Sequence, residues 1–237
     1  MSGTPLHTHR PDASRTLLAG TCQVDLDLTR PVPPEVESIP LAAGLERAVP
    51  RRQMQFRAGR YCAMRALAAL DPRFGRSPID RATTGAPVWP EGVTGSITHT
   101  DDYASAAVAW TAHTVSLGID TERVMSTPQA QDVGSLLASA AELRHCDAAG
   151  LSSLEAFTFV FSAKESVFKC LHPLVGRMFE FDDVRVFGVD AAAKAFHVRI
   201  VKDLSEAFPS GTLLEGRFAV DRGRVHTGIS LGTPWQS

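Results

Sequence analysis

Two short stretches hold the side chains best suited to reaction chemistry: Gly118-Ile119-Asp120-Thr121-Glu122, and Phe161-Ser162-Ala163-Lys164-Glu165-Ser166-Val167-Phe168-Lys169. On a strand, side chains alternate between faces, so Asp120 and Glu122 project from one side. On a helix, residues four apart are neighbours, so Glu165 and Lys169 lie one above the other. Three carboxylates and an ammonium are the groups needed to hold a hard divalent cation against a pyrophosphate.

Each feature also has a plain structural reading. An Asp-x-Glu pair on a strand ordinarily faces water. Here the run Val115 to Ile119 before it is largely apolar, so the strand is expected to be buried. Two carboxylates at its end then need compensation, and a cation supplies it. Lys164 and Glu165 on a helix are ordinarily solvated, and Lys164 is read in part that way. Yet Phe157, Phe161, Phe168 and Leu171 flank Glu165. A carboxylate among aromatics is a functional candidate; an ion pair with Lys169 is the alternative. His99 closes Gly95-Ser96-Ile97-Thr98-His99 and is either a surface residue or a phosphate donor through its ring N–H. Arg52 and Arg60 stand eight residues apart with Arg57 between them, about two helical turns. Arginine forks match phosphate oxygens, although basic helix positions are usually solvated.

The elements that must position these groups follow from pattern. Thr21 to Leu28 alternates as a strand, and Pro31, Pro33 and Pro34 predict an extended connection. Gln53 to Leu70 reads as a helix with Phe56, Met64, Leu67 and Leu70 on its apolar side, stopped by Asp71-Pro72. Residues 72–94 read as loop. Gly95 to His99 and Ala104 to Trp110 read as strands joined by Thr100-Asp101-Asp102, and Val115 to Glu122 as another strand. Thr127 to Ala149 is helical in character, with Ser139 as a cap. Leu151 to Leu171 is the clearest helix, closed by His172-Pro173. Four further strands follow: Asp183 to Val189, Ala195 to Val201, Thr212 to Val220 and Val225 to Leu231. Arg222-Gly223 is the hairpin turn between the last two. Helices mixed with hairpin-connected strands imply an α+β architecture.

The totals bound the partners. The chain has 237 residues, 44% hydrophobic and 21% charged, with a net charge of -2. That suits a globular core and gives no reason to expect nucleic acid as the main partner. Cys22, Cys62, Cys146 and Cys170 form no C-x-x-C pair, so free thiols in a reducing cytoplasm are expected. No apolar segment approaches the ~20 residues of a membrane span, and no signal-peptide pattern opens the chain. Residues 1–15 read as a polar tail, and His7 and His9 in it as solvated rather than metal-binding.

The ordered set of motifs resembles the 4′-phosphopantetheinyl transferases. The Asp-x-Glu stretch and the Phe161–Lys169 stretch are similar to that family's paired signature. Gly95 to His99 is similar to its histidine motif, and Gly85-Ala86-Pro87-Val88-Trp89-Pro90 and Arg57-Ala58-Gly59-Arg60 also match. The features span residues 52–176, over half the chain. Trp89-Pro90, the Arg52–Arg60 spacing and the run Cys170-Leu171-His172-Pro173-Leu174 resemble the branch typified by enterobactin synthase component D, within the single-chain Sfp-like class. Thr83-Thr84 stands where some relatives carry a lysine, and Arg81 is the residue that could reach the same space.

The resemblance implies two similar subdomains related by a pseudo-twofold axis, each a small antiparallel sheet on a long helix, divided as 1–118 and 119–237. It implies coenzyme A in the cleft as co-substrate, magnesium on Asp120, Glu122 and Glu165, and phosphate contacts from Lys169, His99 and Thr98. Arg52 and Arg60 would hold the 3′-phosphate. Asp120, Glu165 and Lys169 would be catalytic, with either Glu165 or a water taking the proton of the acceptor serine. The partner would be an acyl, peptidyl or aryl carrier protein, met transiently by a monomer, in siderophore or other nonribosomal peptide synthesis. Arg123 to Leu137, with Met125, Val133, Leu136 and Leu137, would be the docking surface or else core. Two other classes compete: a non-catalytic coenzyme A- or carrier-binding module, and a magnesium phosphohydrolase built on the same acids.

Overall fold

A computed structural model describes residues 16–75, 79–82 and 85–233. Residues 1–15, with His7 and His9, and Thr83-Thr84 lie outside them.

The first half is a sheet of three antiparallel strands in the order β1-β3-β2: β1 Cys22–Asp27, β2 Val93–His99 and β3 Tyr103–Trp110. Helix α2, Pro50–Leu70, packs on it. Pro50 at its first turn is pre-set for a helix and lacks only an N–H that would have no partner there. The buried stripe of α2 is Ala58, Gly59, Cys62, Ala63, Ala66 and Leu67, whereas Phe56, Met64 and Leu70 are only half-buried. Small residues win because β3 turns small Ala104 and Ala106 towards α2, in one buried cluster with Ala58, Cys62, Ala63 and Ala66. Helix and strand can thus approach closely. The proline-rich connection is not wholly extended: Pro34–Glu37 forms a short helix, α1, which buries Val36.

The second half is a five-stranded antiparallel sheet in the order β4-β8-β7-β6-β5. Its strands are β4 Thr114–Arg123, β5 Val184–Asp190, β6 Ala195–Ile200, β7 Leu213–Asp221 and β8 Arg224–Gly232. Arg222 and Gly223 both have positive φ, 48° and 71°, and make the β7–β8 hairpin turn. Strand β4 pairs with β8 from Thr114 to Arg123, so the expected division between 118 and 119 falls inside one strand. The stretch Thr127 to Ala149, helical in character, is two helices, α3 Thr127–Leu137 and α4 Ala140–Ala148; Ala138 between them is extended, and Ser139 caps α4 as expected.

Helix α5, Ser153–Val175, lies across β4 and β8. It runs through His172-Pro173, where the sequence suggested a stop. Only Leu174 and Val175 follow the proline before Gly176 closes the helix at φ 71°, so one missing N–H disturbs little. Helix and strand meet at Gly118. A Cβ there would collide with the Ser166 carbonyl oxygen and sit 2.6 Å from the Cys170 nitrogen. Ser116 Oγ donates to the Cys170 carbonyl at 2.6 Å, and Ser162 and Thr227 hydroxyls meet at 2.9 Å. Gly118→Ala is therefore expected to cost about 3 kcal/mol or more by urea unfolding. A loss under about 1 kcal/mol would show that α5 can shift freely.

The two sheets meet along a seam made by side chains. One edge of β4 pairs with β8. On its other edge, the Ile119 N–H donates to Ser96 Oγ at 3.1 Å and the Thr121 N–H to Thr98 Oγ1 at 3.0 Å. Hydroxyls of β2 thus replace a backbone ladder and satisfy buried donors. Arg224 of β8 fastens the far end, with Nη2 at 2.9 Å from Asp102 in the β2–β3 turn.

Candidate active site

The seam places the motif residues. Asp120 and Glu122 end β4, His99 ends β2, and Glu165 and Lys169 face them from α5. Asp120 is 3% exposed. Its Oδ1 accepts from Lys169 Nζ at 2.6 Å and from Thr98 Oγ1 at 3.2 Å. Three elements therefore meet on one carboxylate. Thr98 accepts from the Thr121 N–H while donating to Asp120, so it is a positioning group.

The charges are unbalanced. Burial, then the charge of Asp120, then that of Glu165, push Glu122 up to about 8, against the pull of Lys169. Burial is also the main cause of the raised Glu165 pKa, with Asp120 adding to it and Lys169 opposing. Burial disfavours the Lys169 ammonium, but Asp120, Glu165 and Glu122 outweigh it, and its pKa is raised.

Among the described residues, no three His, Cys, Asp or Glu side chains form a preformed metal cluster. Glu122 and Glu165 thus sit where burial and the Asp120 charge raise their proton affinity, without a ready coordination set. Asp120 Oδ2 is nevertheless buried with no hydrogen-bond partner. Three acids sharing one lysine, with a buried orphan oxygen among them, fit a hard cation.

Glu122 yields a pH prediction. Its folded-state pKa of about 8 lies above the ordinary 4.5, so the folded chain keeps a proton that the unfolded chain releases. Stability then falls as pH rises between those values. In chelator at pH 8, Glu122→Gln should be more stable than wild type by on the order of 2 kcal/mol, a gap that closes towards pH 4. Parallel pH profiles of melting temperature for the two proteins would contradict this.

His99 is neutral. Burial, followed by the charges of Arg52 and Lys169, pulls its pKa down to about 4. Arg52 Nη1 stands 3.0 Å from His99 Nε2, and a guanidinium can only donate, so Nε2 accepts. In this arrangement His99 orients Arg52, and Arg52 is the cationic donor at this end of the site. Arg60 does not join them. It is 7% exposed, its Nη2 lies 3.4 Å from the Asp80 carbonyl, and its guanidinium covers the Phe56 ring at 4.9 Å. Arg57 turns away, donating to the Ile39 carbonyl at 3.1 Å.

Lys164 is not a solvated residue. It is 3% exposed, 3.2 Å from Glu142 Oε1, and donates to the Leu137 carbonyl at 3.0 Å. Asp101, in the turn between β2 and β3, is a further candidate site residue without a local sequence motif. It adds to the repulsion on Glu122 and binds Arg51 at 2.8 Å and Gln55 at 2.9 Å. The adjacent Arg51-Arg52 pair was the visible signal for this cluster, whereas nothing local linked Arg224 to Asp102.

A groove of about 610 Å³ opens beside the carboxylates, lined by His99, Asp101, Glu122, Met125, Gln129 and Phe161 among others. Leu136 on α3 is 74% exposed, and Met125 and Leu137 are half-buried. The Val133 side chain lies outside those described.

Comparison with known proteins agrees with this geometry. Residues 41–109 match the family model described as 4′-phosphopantetheinyl transferase N-terminal domain. Residues 116–218 match that of the 4′-phosphopantetheinyl transferase superfamily. The chain is 38% identical to 4′-phosphopantetheinyl transferase Svp of Streptomyces mobaraensis, over 81% of this chain and 78% of that protein. It is 35% identical to 4′-phosphopantetheinyl transferase PptT of Mycobacterium tuberculosis, over 84% and 88%. It is 32% identical to enterobactin synthase component D of Escherichia coli K12, over 69% and 74%. With its long helices on two antiparallel sheets and a carboxylate–lysine cluster at their seam, the chain belongs to the 4′-phosphopantetheinyl transferase superfamily.

Proposed function

We propose that this protein transfers the 4′-phosphopantetheine group of coenzyme A to a serine hydroxyl of an apo carrier protein, releasing adenosine 3′,5′-bisphosphate. The observation that carries the reading is Asp120, held by Lys169 and Thr98 from two other elements, with one oxygen left unpartnered. The serine Oγ–P bond forms on the pantetheine-side phosphorus, and the P–O bond to the nucleotide breaks. The serine proton goes to a base and the electron pair to the leaving phosphate. Such transfers need alignment and charge compensation more than covalent help.

Asp120, Glu122 and Glu165 would hold magnesium, which when bound offsets the pyrophosphate charge. Glu165, or a water held beside it, takes the serine proton. Lys169 stays protonated through its carboxylate neighbours and faces the leaving phosphate as a fixed cation and proton source. Arg52, oriented by His99, adds a second cation at that end.

The carrier docks in the groove beside Glu122, against Met125 and the exposed Leu136. We take it to act as a monomer of two units. Among the described residues, no helix is long and apolar enough to cross a membrane. We place the protein in the cytoplasm, with its coenzyme A. Likeness to enterobactin synthase component D favours siderophore carriers.

Mass spectrometry of apo carriers incubated with coenzyme A and magnesium tests the reading. A mass gain of one phosphopantetheine is expected, and none on any of several carriers would contradict it. Release of free phosphopantetheine without a carrier would favour a hydrolase. Paired rates on a peptidyl and a fatty-acid carrier test the siderophore assignment, with the peptidyl carrier expected to react faster.

A further inference from the structure

We propose that Asp102 is a positioning residue for the transfer: clasped by Arg224 and Arg123, it sets how closely the β2–β3 turn, with His99 and Asp101, stands to the acid pair on β4. The inference rests on the transferase reading above and adds to it a residue outside the cluster of acids and lysine. The groove beside the carboxylates has two walls. Helix α2 and the turn supply Arg51, Gln55, His99 and Asp101, and the end of β4 with the segment after it supplies Glu122 and Met125. The hydroxyl bonds of the seam reach as far as Thr98 and Thr121. Beyond them the tie between the two halves passes through Asp102.

On neighbouring antiparallel strands, like charges directly opposite each other repel. The β4–β8 register puts Arg123 opposite Arg224. Asp102 answers both, with Oδ2 2.9 Å from Arg224 Nη2 and 3.8 Å from Arg123 Nε. The Arg224 fork makes a second contact, Nε to Oδ1 at 3.3 Å, and its Nη2 reaches the Asp102 carbonyl at 3.4 Å. Arg224 is 9% exposed, and its guanidinium lies over the Tyr103 ring at 5.2 Å. Asp27, which also feels the Arg224 charge, is engaged by the N–H and hydroxyl of Thr29. Burial alone would raise the Asp102 pKa. Hydrogen bonds from Arg224 and Thr100, with the charges of Arg224 and Arg123, outweigh burial and keep the carboxylate ionised.

The turn passes this hold on. Thr100 Oγ1 donates to Asp102 Oδ1 at 2.7 Å, the Thr100 N–H to the Tyr103 carbonyl at 2.8 Å, and the Leu28 N–H to the Asp102 carbonyl at 2.9 Å. A turn braced in this way moves as one piece, so a displacement at Asp102 carries His99 and Asp101 with it. The two adjacent aspartates hold different neighbours. Asp101 grips Arg51 and Gln55 of α2 at 2.8 and 2.9 Å, while Asp102 grips β4 and β8. His99 in turn accepts from Arg52, the cation at this end of the site. Loosening the clasp therefore moves Arg52 relative to the acids, and a misplacement of about 1 Å among such groups costs up to about 100-fold in rate.

Carrier modification by the whole protein at saturating coenzyme A, carrier and magnesium, read by mass spectrometry, tests the clasp. Asp102→Asn keeps the shape and an acceptor for Thr100 but loses the charge. Its maximal rate should fall about tenfold, with the KM for coenzyme A changed by less than about threefold. Arg224→Gln should fall about as far, and the double variant no further, because both remove one tie. Asp183→Asn takes a partner from Lys202 beside β5, at the opposite edge of the sheet, and should lower the melting temperature while keeping the rate. Should Asp102→Asn not fold, Arg224→Lys carries the test: it keeps the charge, loses the fork, and should be slower by about threefold. Folded clasp variants with the wild-type maximal rate would make Asp102 a structural ion pair and overturn the inference. Losses that multiply to about 100-fold in the double variant would overturn it too, since the two residues would then act separately. Either of those results leaves the transferase reading standing, whereas no modification of any carrier by wild type would end both.

Discussion

Asp120→Asn is expected to lower carrier modification by about 10³-fold or more, a barrier increase of about 4 kcal/mol. The asparagine keeps the shape and an acceptor for Thr98, so the seam between β2 and β4 should survive. What disappears is the buried charge that Lys169 grips at 2.6 Å and the orphan Oδ2 that would face a cation. Single-turnover mass spectrometry reads the rate, and the melting temperature in chelator checks the fold. A rate within tenfold of wild type, with the fold intact, would remove Asp120 from the centre of the site. The same variant should show no dependence on magnesium concentration over the range in which wild type saturates.

Lys164→Met is expected to cost about 3–5 kcal/mol of folding stability. The reason is not the strength of the pair but the charge left behind. Glu142 is 1% exposed, and its oxygens also accept from the Val186 N–H at 3.1 Å and the Ser139 N–H at 2.8 Å. Without Lys164, a buried carboxylate keeps those hydrogen bonds and loses its counter-charge, and the Leu137 carbonyl loses its donor. Adding Glu142→Gln should recover part of the loss, because a neutral amide still accepts from one neighbour. Urea unfolding of the two singles and the double gives the coupling. A loss under about 1 kcal/mol for Lys164→Met would mean that the pair behaves as a surface ion pair.

The contrast between Lys164 and Glu165 marks how far spacing alone reaches. Both stand in one run of polar letters on a helix. The aromatic neighbours of Glu165 signalled that it sits half-buried beside Lys169. Lys164 faces the other way, into α4 and β5, and its partner Glu142 is 22 residues distant in sequence. No local pattern announces such a partner. Arg52 and Arg60 teach the same lesson. Their spacing puts both on one flank of α2, but what each meets is set by β2 and by Asp80. The stop expected at Pro173 failed because a proline near the end of a helix disturbs few hydrogen bonds. Hairpins were legible because positive-φ turn residues and period-2 strands are local properties.

From its letters alone this chain specified its kit of parts: an acid pair sharing a strand face, an acid and a lysine sharing a helix face, and the α+β elements that carry them. These follow from backbone periodicity, which acts within a single element. Which oxygen of Asp120 is engaged, why Thr98 serves structure and site at once, and where Arg60 points were decided only by packing. Those outcomes depend on how closely α5 can approach β4 at a residue lacking a Cβ, and on hydroxyls joining two sheets where no backbone ladder runs.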